Sequence, residues 1–125
     1  MIKQYIIVRK DLGISKGQMI AMGAHASMGI FFAMLQETGF DEFRLGPAEG
    51  WDWDDAVLPW IKGKFTKVVL GAPNAHELEQ VYEAATRAGL PCSLIDDENI
   101  GMAAVAIGPV KSEDVAHITG HLKLL

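Results

Sequence analysis

Cysteine is almost absent from this 125-residue chain, which contains Cys92 alone. A single cysteine excludes an internal disulfide and fits a reducing compartment such as the cytoplasm. Cys92 follows Gly89-Leu90-Pro91 and begins an apolar run, so we interpret it as a small buried hydrophobic residue rather than a nucleophile.

Long apolar segments are also missing, although half of the residues are hydrophobic. No run approaches the roughly 20 residues of a membrane span. The first run, Tyr5-Ile6-Ile7-Val8, ends when charge returns at Arg9, so it predicts a strand rather than a signal peptide. We therefore expect a cytoplasmic protein with no membrane partner.

Positive charge is scarce and unevenly distributed. The chain has 11 Lys and Arg residues against 16 Asp and Glu residues, a formal net charge of −5. Residues 41–55 contain six acids and one base, so this segment carries −5 and the rest balances at ten of each (16 − 6 and 11 − 1). This balance excludes a broad nucleic-acid-binding surface, which depends on many Lys and Arg contacts with phosphates. Two local basic clusters remain: Arg9, Lys10 and Lys16, and Lys62, Lys64 and Lys67.

Apolar runs and turn residues predict the element order β-α-insert-β-α-β-β-α in one domain spanning residues 1–125. The predicted strands cover residues 3–9, 66–71, 92–95 and 103–108. Strands that alternate with helices, followed by a short strand–strand connection, predict an α/β fold with a mixed four-stranded sheet and helices on both faces. The apolar runs of the first three strands do not simply alternate with polar residues, so we expect these strands to be buried.

The first helix is predicted over Lys16–Gln36, because Ser15 and Gln18 form a capping box at its start and Gly39 is a typical stop signal. We interpret its methionines as core filling. An apolar stripe at helical spacing consists of Ile20, Ala24, Met28, Phe31 and Leu35.

Two further helices are predicted from their caps. Asn74 and Glu77 form a second capping box, whose helix ends at Gly89. Ser112 is predicted to cap a last short helix towards Thr119.

Residues 40–61 form an acidic insert that contains all three tryptophans of the chain. Asp52 or Asp54 is a candidate cap for a short helix up to Trp60, whose length Pro59 limits. Tryptophans can stack on bases, but such residues more often pin an excursion onto the body of a domain or contact a partner subunit, which we favour. A protein-binding module that uses this insert is an alternative function.

The start of the first helix is the candidate functional site. A helix N-terminus exposes unpaired N–H groups and the positive end of the helix dipole, which suits an anion such as a phosphate. His25 lies seven residues after Gln18, on the same side of the helix and about 10 Å further along its axis.

A family resemblance is carried, in order along nearly the whole chain, by Tyr5–Leu12; Lys16-Gly17 with Ala24–Ser27; Trp60 through Val69; Ala88–Pro91 with Leu94-Ile95; Ala106–Pro109; and Ile118–Leu124. Together these stretches resemble the type 2 peptidyl-tRNA hydrolases, which occur in archaea, eukaryotes and some bacteriophages. The closing stretch is most similar to phage-encoded members. The resemblance implies cleavage of the ester between a peptide and the 3′-terminal adenosine of tRNA, no metal or other cofactor, and often a homodimer.

Residue chemistry and this resemblance predict three catalytic residues: Asp97 to orient water, Lys16 to stabilise negative charge, and His25 as a base or a phosphate ligand. The predicted substrate- or nucleotide-binding residues are Arg9, Ser15, Gln18, Lys62 and Lys64. Structural alternatives stay open for each of the main candidates. Asp97 fits a tight turn, His25 fits a packed core position, and Gln18 is explained by capping alone.

Three features depart from the family pattern. The usual Lys-Gly-Lys at the first helix is Lys16-Gly17-Gln18, the glutamine before the histidine is Met22, and the threonine-bearing loop after Asp97 has no counterpart. Two hypotheses follow. The chain is a divergent peptidyl-tRNA or aminoacyl-tRNA hydrolase, or its scaffold binds or cleaves a small nucleotide signal, for instance as a phage counter-defence protein in the host cytoplasm.

Overall fold

The computed structural model describes residues 1–37 and 52–125 of the chain. The elements are β1 (Ile2–Arg9), α1 (Lys16–Glu37), a π-helical turn (Trp53–Val57), α2 (Leu58–Lys62), β2 (Lys67–Ala72), α3 (Ala75–Arg87), β3 (Cys92–Asp97), β4 (Gly101–Lys111), α4 (Ser112–Thr119) and β5 (Lys123–Leu124). The predicted α/β class is confirmed. Within the described ranges, no helix has the length and apolar character needed to cross a membrane.

The strands form one mixed sheet in the order β3-β4-β1-β2-β5. β1 runs parallel to β2 and antiparallel to β4, and the two outer strands pair antiparallel with their neighbours. The predicted count of four strands is one too few, because β5 pairs with Leu70 and Gly71 at the edge of β2. A strand of two residues is too short to give a period-2 pattern in the sequence.

Burial follows position in the sheet. β1 and β4 lie inside the sheet, and their buried runs cover Gln4–Val8 and residues 103–110. The expectation that the first three strands are buried holds for β1 only. β2 is buried from Leu70 to Ala72, and β3 is half-buried because it is an edge strand with one neighbour.

Helices cover both faces of the sheet, as predicted. On one face, Tyr5 and Ile7 of β1 pack with residues of α3 and α4 such as Leu78 and Val115. On the other face, the alternate residues of β1 pack against α1. This two-sided burial explains why the apolar run of β1 is continuous rather than alternating.

The face of α1 that packs on the sheet combines small residues with the buried Ile30. A Cβ at Gly23 would lie 3.2 Å from Ile6, and one at Gly29 would lie 3.2 Å from Ser93, so both glycines permit close approach. Ala26 between them is fully buried. The larger apolar side chains of the predicted stripe point away from this face, since Ile20 is 73% and Met28 is 50% exposed. The interpretation of the methionines as core filling is therefore wrong for Met28.

Several local predictions are confirmed or corrected by the caps. The side chain of Asn74 accepts a hydrogen bond from Glu77 N at the start of α3, and that of Asp52 caps the π-helical turn. Ser112 does not cap α4 but is its first residue, and its hydroxyl donates to the backbone oxygen of Met1. Pro59 lies in the first turn of α2, where proline is tolerated, so the helix continues to Lys62.

Trp60 fixes the described part of the insert onto the body of the protein. Its side chain is 2% exposed, its indole N–H donates to the Thr66 backbone oxygen at 2.8 Å, and its ring contacts Phe31 and Phe65. The favoured interpretation of this tryptophan as an anchor is confirmed. The predicted stop at Gly39 and the acidic part of the insert up to residue 51 lie outside the described residues.

Candidate functional site

Three elements meet at one edge of the sheet. β1 ends there at Arg9, α1 begins there after the loop that follows β1, and the β3–β4 turn closes there with Asp97 opposite Gly101. A hydrogen bond of 2.9 Å from Arg9 Nη1 to the Met102 backbone oxygen joins the end of β1 to this turn. The carboxyl end of β1 and the first turn of α1 therefore lie at the same edge as the β3–β4 turn.

The predicted capping box at the start of α1 is confirmed. Gln18 N donates to Ser15 Oγ at 3.2 Å, and Ser15 N donates to Gln18 Oε1 at 3.0 Å. The Ser15 hydroxyl also donates to this side-chain oxygen at 3.2 Å. Among the described residues the amide nitrogen of Gln18 has no acceptor, so an exposed side chain offers two N–H donors and no charge.

Arg9 is held by its own loop. Its Nε and Nη2 donate to the two carboxylate oxygens of Asp11 at 2.9 and 3.0 Å. This hydrogen-bonded pair raises the pKa of the Arg9 guanidinium and lowers the pKa of the Asp11 carboxyl. With the bond to Met102, each of the three Arg9 nitrogens has a protein acceptor, so Arg9 positions the loop before α1.

Asp97 closes the β3–β4 turn through one carboxylate oxygen. Its Oδ1 accepts hydrogen bonds from Asn99 N at 2.8 Å and Ile100 N at 3.1 Å. The other carboxylate oxygen makes no hydrogen bond to a described residue. The tight-turn role is thus observed, and the second oxygen is left for a water or a substrate hydroxyl.

Lys16 and His25 lie on opposite sides of α1. They are nine residues apart, and at about 100° per residue this spacing turns the side chain by about 180°. Lys16 faces a groove on the β2 side of the helix, whereas exposed His25 lies on the side of Gln18. The structure therefore brings Gln18 and His25 to one side of α1 and places Lys16 on the other.

The predicted lysines of the second basic cluster lie elsewhere. Lys62 ends α2, and Lys64 lines a cavity of about 170 Å³ beside Met1 and Thr66. This cavity lies at the amino end of β1, and the length of that strand, about 23 Å, separates it from Arg9. The structure does not bring Lys62 and Lys64 to the edge that holds the other candidates.

Sequence reasoning missed an apolar groove of about 760 Å³ between the exposed side of α1 and β2, which we call the α1–β2 groove. The sequence contains a signal for this groove. The stripe with Ile20 and Met28 is apolar, and the opposite face of α1, which packs on the sheet, is apolar too, so one apolar face of the helix is left exposed. Its wall, floor and ends are formed by Ile20, Met28, Phe31, Trp60, Val69 and Leu125. Among the described residues, no group of three or more His, Cys, Asp or Glu side chains is placed to hold a metal ion.

Comparison with known families gives a match over almost the whole chain. The profile of the family described as peptidyl-tRNA hydrolase PTH2 matches residues 2–125. A peptidyl-tRNA hydrolase of Methanocaldococcus jannaschii is 39% identical over 129 residues, covering 98% of this chain and 99% of the relative. Peptidyl-tRNA hydrolases of Methanopyrus kandleri and Aeropyrum pernix are 34% and 39% identical, covering 100% and 98% of this chain and 99% and 94% of the relatives.

A solved structure shares the fold. A protein of unknown function from Agrobacterium tumefaciens strain C58 superposes with a TM-score of 0.58, covering 98% of this chain and 96% of that chain. At 16% sequence identity, this likeness concerns the fold alone.

Proposed function

Because the chain belongs to the peptidyl-tRNA hydrolase PTH2 family, we propose that it hydrolyses the ester between a peptide and the 3′-terminal adenosine of tRNA. The observation that carries the proposal is the full-length match to archaeal relatives named peptidyl-tRNA hydrolase. The proposed reaction centre is the sheet edge that holds Asp97, Gln18 and the first turn of α1.

In the proposed reaction, Asp97 orients the attacking water. Its Oδ1 is held by two backbone N–H groups of the turn, which fixes the carboxylate and leaves Oδ2 to accept a hydrogen bond from the water. His25 is proposed as the base or as a ligand of the terminal phosphate. The ester then breaks between its carbonyl carbon and the ribose oxygen, which leaves with a proton.

The negative charge that develops on the carbonyl oxygen needs donors. The Gln18 amide supplies two N–H groups, and the first turn of α1 adds unpaired backbone N–H groups. Lys16 lies on the opposite side of α1, so its ammonium group is proposed to add positive potential at the start of the helix rather than to contact this oxygen. Ser15 acts indirectly by holding Gln18, and Arg9 acts by fixing the loop before α1. Lys62 and Lys64 are proposed to contact the tRNA backbone away from the reaction centre.

The proposed partner is the 3′ end of tRNA rather than an extended RNA surface, since the chain has only 11 Lys and Arg residues against 16 Asp and Glu residues. We also propose a homodimer, a cytoplasmic location and a single domain over residues 1–125. The relatives described above are archaeal. A phage origin, suggested by the closing residues of the chain, stays a prediction.

A second candidate function is binding or cleavage of a small nucleotide. The observations that favour it are the uncharged Gln18 at the start of α1 and the tight turn at Asp97, which together leave fewer charged groups for tRNA. A helix N-terminus with exposed donors still suits a nucleotide phosphate. The two functions differ in whether peptidyl-tRNA is cleaved.

Cleavage of peptidyl-tRNA by the purified protein tests the first proposal, with a panel of small nucleotides assayed in parallel. We expect wild-type turnover and a loss of about 100-fold or more in kcat for Asp97→Asn. Asparagine keeps the side-chain oxygen that accepts from Asn99 and Ile100, so the turn is preserved. The matched control is Asp96→Asn, which removes the same charge one residue away.

His25→Ala is assayed against His76→Ala, a change of another exposed histidine on α3. A tenfold or larger loss confined to His25→Ala supports its place in the site. Full activity of both Asp97→Asn and His25→Ala would remove the site assignment. Nucleotide binding by a wild-type protein that leaves peptidyl-tRNA intact would favour the second function.

A further inference from the structure

We propose that Lys10, Lys16 and Lys123 form a binding site for backbone phosphates of the tRNA 3′ segment, on the 5′ side of the terminal adenosine. This inference rests on the proposed function, because it assigns a further binding site for the same substrate. The ligand is a phosphodiester group, and its source is RNA. We call these three residues the lysine cluster.

Gly71 of β2 brings two of the lysines together. Lys10 follows β1 directly, and its stem crosses Gly71, since a Cβ at this glycine would lie 2.6 Å from Lys10 Cδ and 2.9 Å from its Cγ. Lys123 of β5 is the antiparallel partner of Gly71. Partners in an antiparallel pair project from the same face of the sheet, with their Cβ positions about 4.5–5.5 Å apart. Lys10 and Lys123 therefore occupy neighbouring positions on one face.

Lys16 reaches the same face from the first turn of α1. It lines the α1–β2 groove together with Val69 and Leu125. Val69 lies two residues before Gly71 and Leu125 two residues after Lys123, so strand alternation places all four on the face of the sheet that α1 covers. The lysine cluster thus lies where the end of β1, the start of α1 and the start of β5 meet.

The lysine cluster has no acidic partner in the described part of the chain. Its three side chains are exposed, and none of their ammonium groups forms an ion pair with a described residue. Arg9 nearby differs, because Asp11 neutralises its charge. Three ammonium groups gathered without a carboxylate repel one another, and an anion bound among them relieves this repulsion. The net charge of −5 makes such a local excess of positive charge informative.

The acidic segment of this chain is attached at the other edge of the sheet. α1 leads away from the lysine cluster for 22 residues, about 33 Å, before it ends at Glu37. The chain is described again from Asp52, which lines a cavity with Pro109 and Lys111 at the amino end of β1. Both described ends of the segment therefore lie away from the cluster, which favours a ligand from outside the chain.

The lysine cluster and the proposed reaction centre share one sheet edge but lie on opposite sides of the start of α1. Asp97 ends β3 and Lys123 begins β5, which are the two outer strands of the sheet. Four strand spacings of about 4.8 Å place them roughly 19 Å apart along this edge. A single-stranded RNA segment with its terminal adenosine at the reaction centre covers this distance with a few nucleotides, whose phosphates the lysines neutralise.

Two substrates with the same ester test the inference. One is an N-acetylaminoacyl-tRNA, and the other is the same N-acetylaminoacyl ester of adenosine, which has no phosphate. We expect the double variant Lys10→Gln/Lys123→Gln to lower kcat/KM for the tRNA substrate about tenfold at low salt and to make its salt slope shallower by about 1.4, because two phosphate contacts are lost. Hydrolysis of the adenosine ester should be unchanged.

Further variants separate charge from structure. Lys10→Arg/Lys123→Arg keeps both charges and should keep the wild-type rate. Gly71→Ala keeps every charge but places a methyl group where the Lys10 stem lies, so it should lower kcat/KM for the tRNA substrate only. The matched control is Arg87→Gln/Lys111→Gln, which removes two exposed charges elsewhere and should leave both substrates unaffected.

Binding of deacylated tRNA and of ATP identifies the source of the phosphate. We expect the double glutamine variant to bind deacylated tRNA about tenfold more weakly and to match wild-type protein with ATP. Equal weakening for both ligands, or an equal loss on both substrates, would overturn the inference. If wild-type protein cleaves neither substrate, the proposed function fails, and tRNA binding still tests the lysine cluster. If it cleaves both and the double variant matches it throughout, the lysine cluster assignment fails alone.

Discussion

Gln18 shows how a single side chain serves both the fold and the proposed site. Its carbonyl oxygen accepts from the backbone and the hydroxyl of Ser15, which fixes the start of α1. Its amide nitrogen points to solvent as an uncharged donor. The family resemblance predicts a lysine where Gln18 stands, so we expect the uncharged Gln18 to stabilise an oxyanion less strongly than that lysine would.

Replacing Gln18 with lysine is expected to raise kcat for peptidyl-tRNA by about tenfold. A charged donor stabilises a developing oxyanion more strongly than a neutral amide, by roughly 1.4 kcal/mol for that change in rate. Single-turnover hydrolysis measures the effect, and Gln18→Met is the control that removes the donors at similar size. Equal rates for the lysine and methionine variants would show that position 18 does not contact the reacting carbonyl.

At the scale of elements, sequence patterns predict where α1 begins but not which of its faces packs on the sheet. The capping boxes at Ser15 and Asn74 involve residues three apart, so local chemistry predicts both starts. The orientation of α1 is not local. The helix is apolar on nearly all sides, and its buried face is selected by close approach of Gly23 and Gly29 to the sheet, which only the assembled fold reveals.

The same limit applies to the site. The sequence indicates which residues have suitable chemistry, and the resemblance orders them along the chain. It does not show that Lys16 and His25 lie on opposite sides of α1, because that depends on which face meets the sheet. It also cannot show that the Arg9 guanidinium is occupied by Asp11 and the Met102 carbonyl, since the latter is 93 residues away.

β4 contains a position where any side chain is expected to be costly. Gly108 has a φ of +101°, and a Cβ there would lie 2.8 Å from the Lys3 backbone oxygen and from Val110 N. We expect Gly108→Ala to lower the free energy of unfolding by about 2 kcal/mol or more, because backbone atoms cannot move aside.

Gly101→Ala is the matched control for this prediction. Gly101 also has a positive φ, +77°, but a Cβ there would meet nothing within 4 Å, so the cost should be about 1 kcal/mol. Urea denaturation followed by far-UV circular dichroism measures both variants. Equal losses would mean that backbone conformation alone, without the close contact, determines the cost at Gly108.

At the scale of the whole molecule, charge limits how the protein holds RNA. The net charge is −5, Arg9 is paired with Asp11, and the remaining basic residues are either isolated along the chain or in small clusters. Few tRNA phosphates can therefore be neutralised at once.

We expect the plot of log(kcat/KM) for peptidyl-tRNA against log[salt] to have a slope no steeper than about −3, which corresponds to three or four phosphate contacts. Steady-state kinetics between 50 and 300 mM KCl measure the slope. Lys111→Ala, a change of an exposed lysine outside the proposed site, should leave the slope unchanged. A slope near −8 would indicate an extended RNA interface that these charges do not predict.

The proposed homodimer is expected to give a mass near twice 13.6 kDa by light scattering at micromolar concentration. Apolar residues outside the groove, including Leu124 at 74% exposure, remain available for such a contact. A mass near 13.6 kDa across the concentration range would contradict the dimer.

The position of Leu125 has a practical consequence for handling the protein. Its backbone N–H is fixed to Val69, and its side chain lines the groove, so anything fused after it emerges at the groove mouth. An affinity tag placed there would lie beside this exposed apolar surface at high local concentration. Recombinant protein for kinetics is better tagged before Met1, which is 63% exposed at the end of β1 opposite the proposed reaction centre.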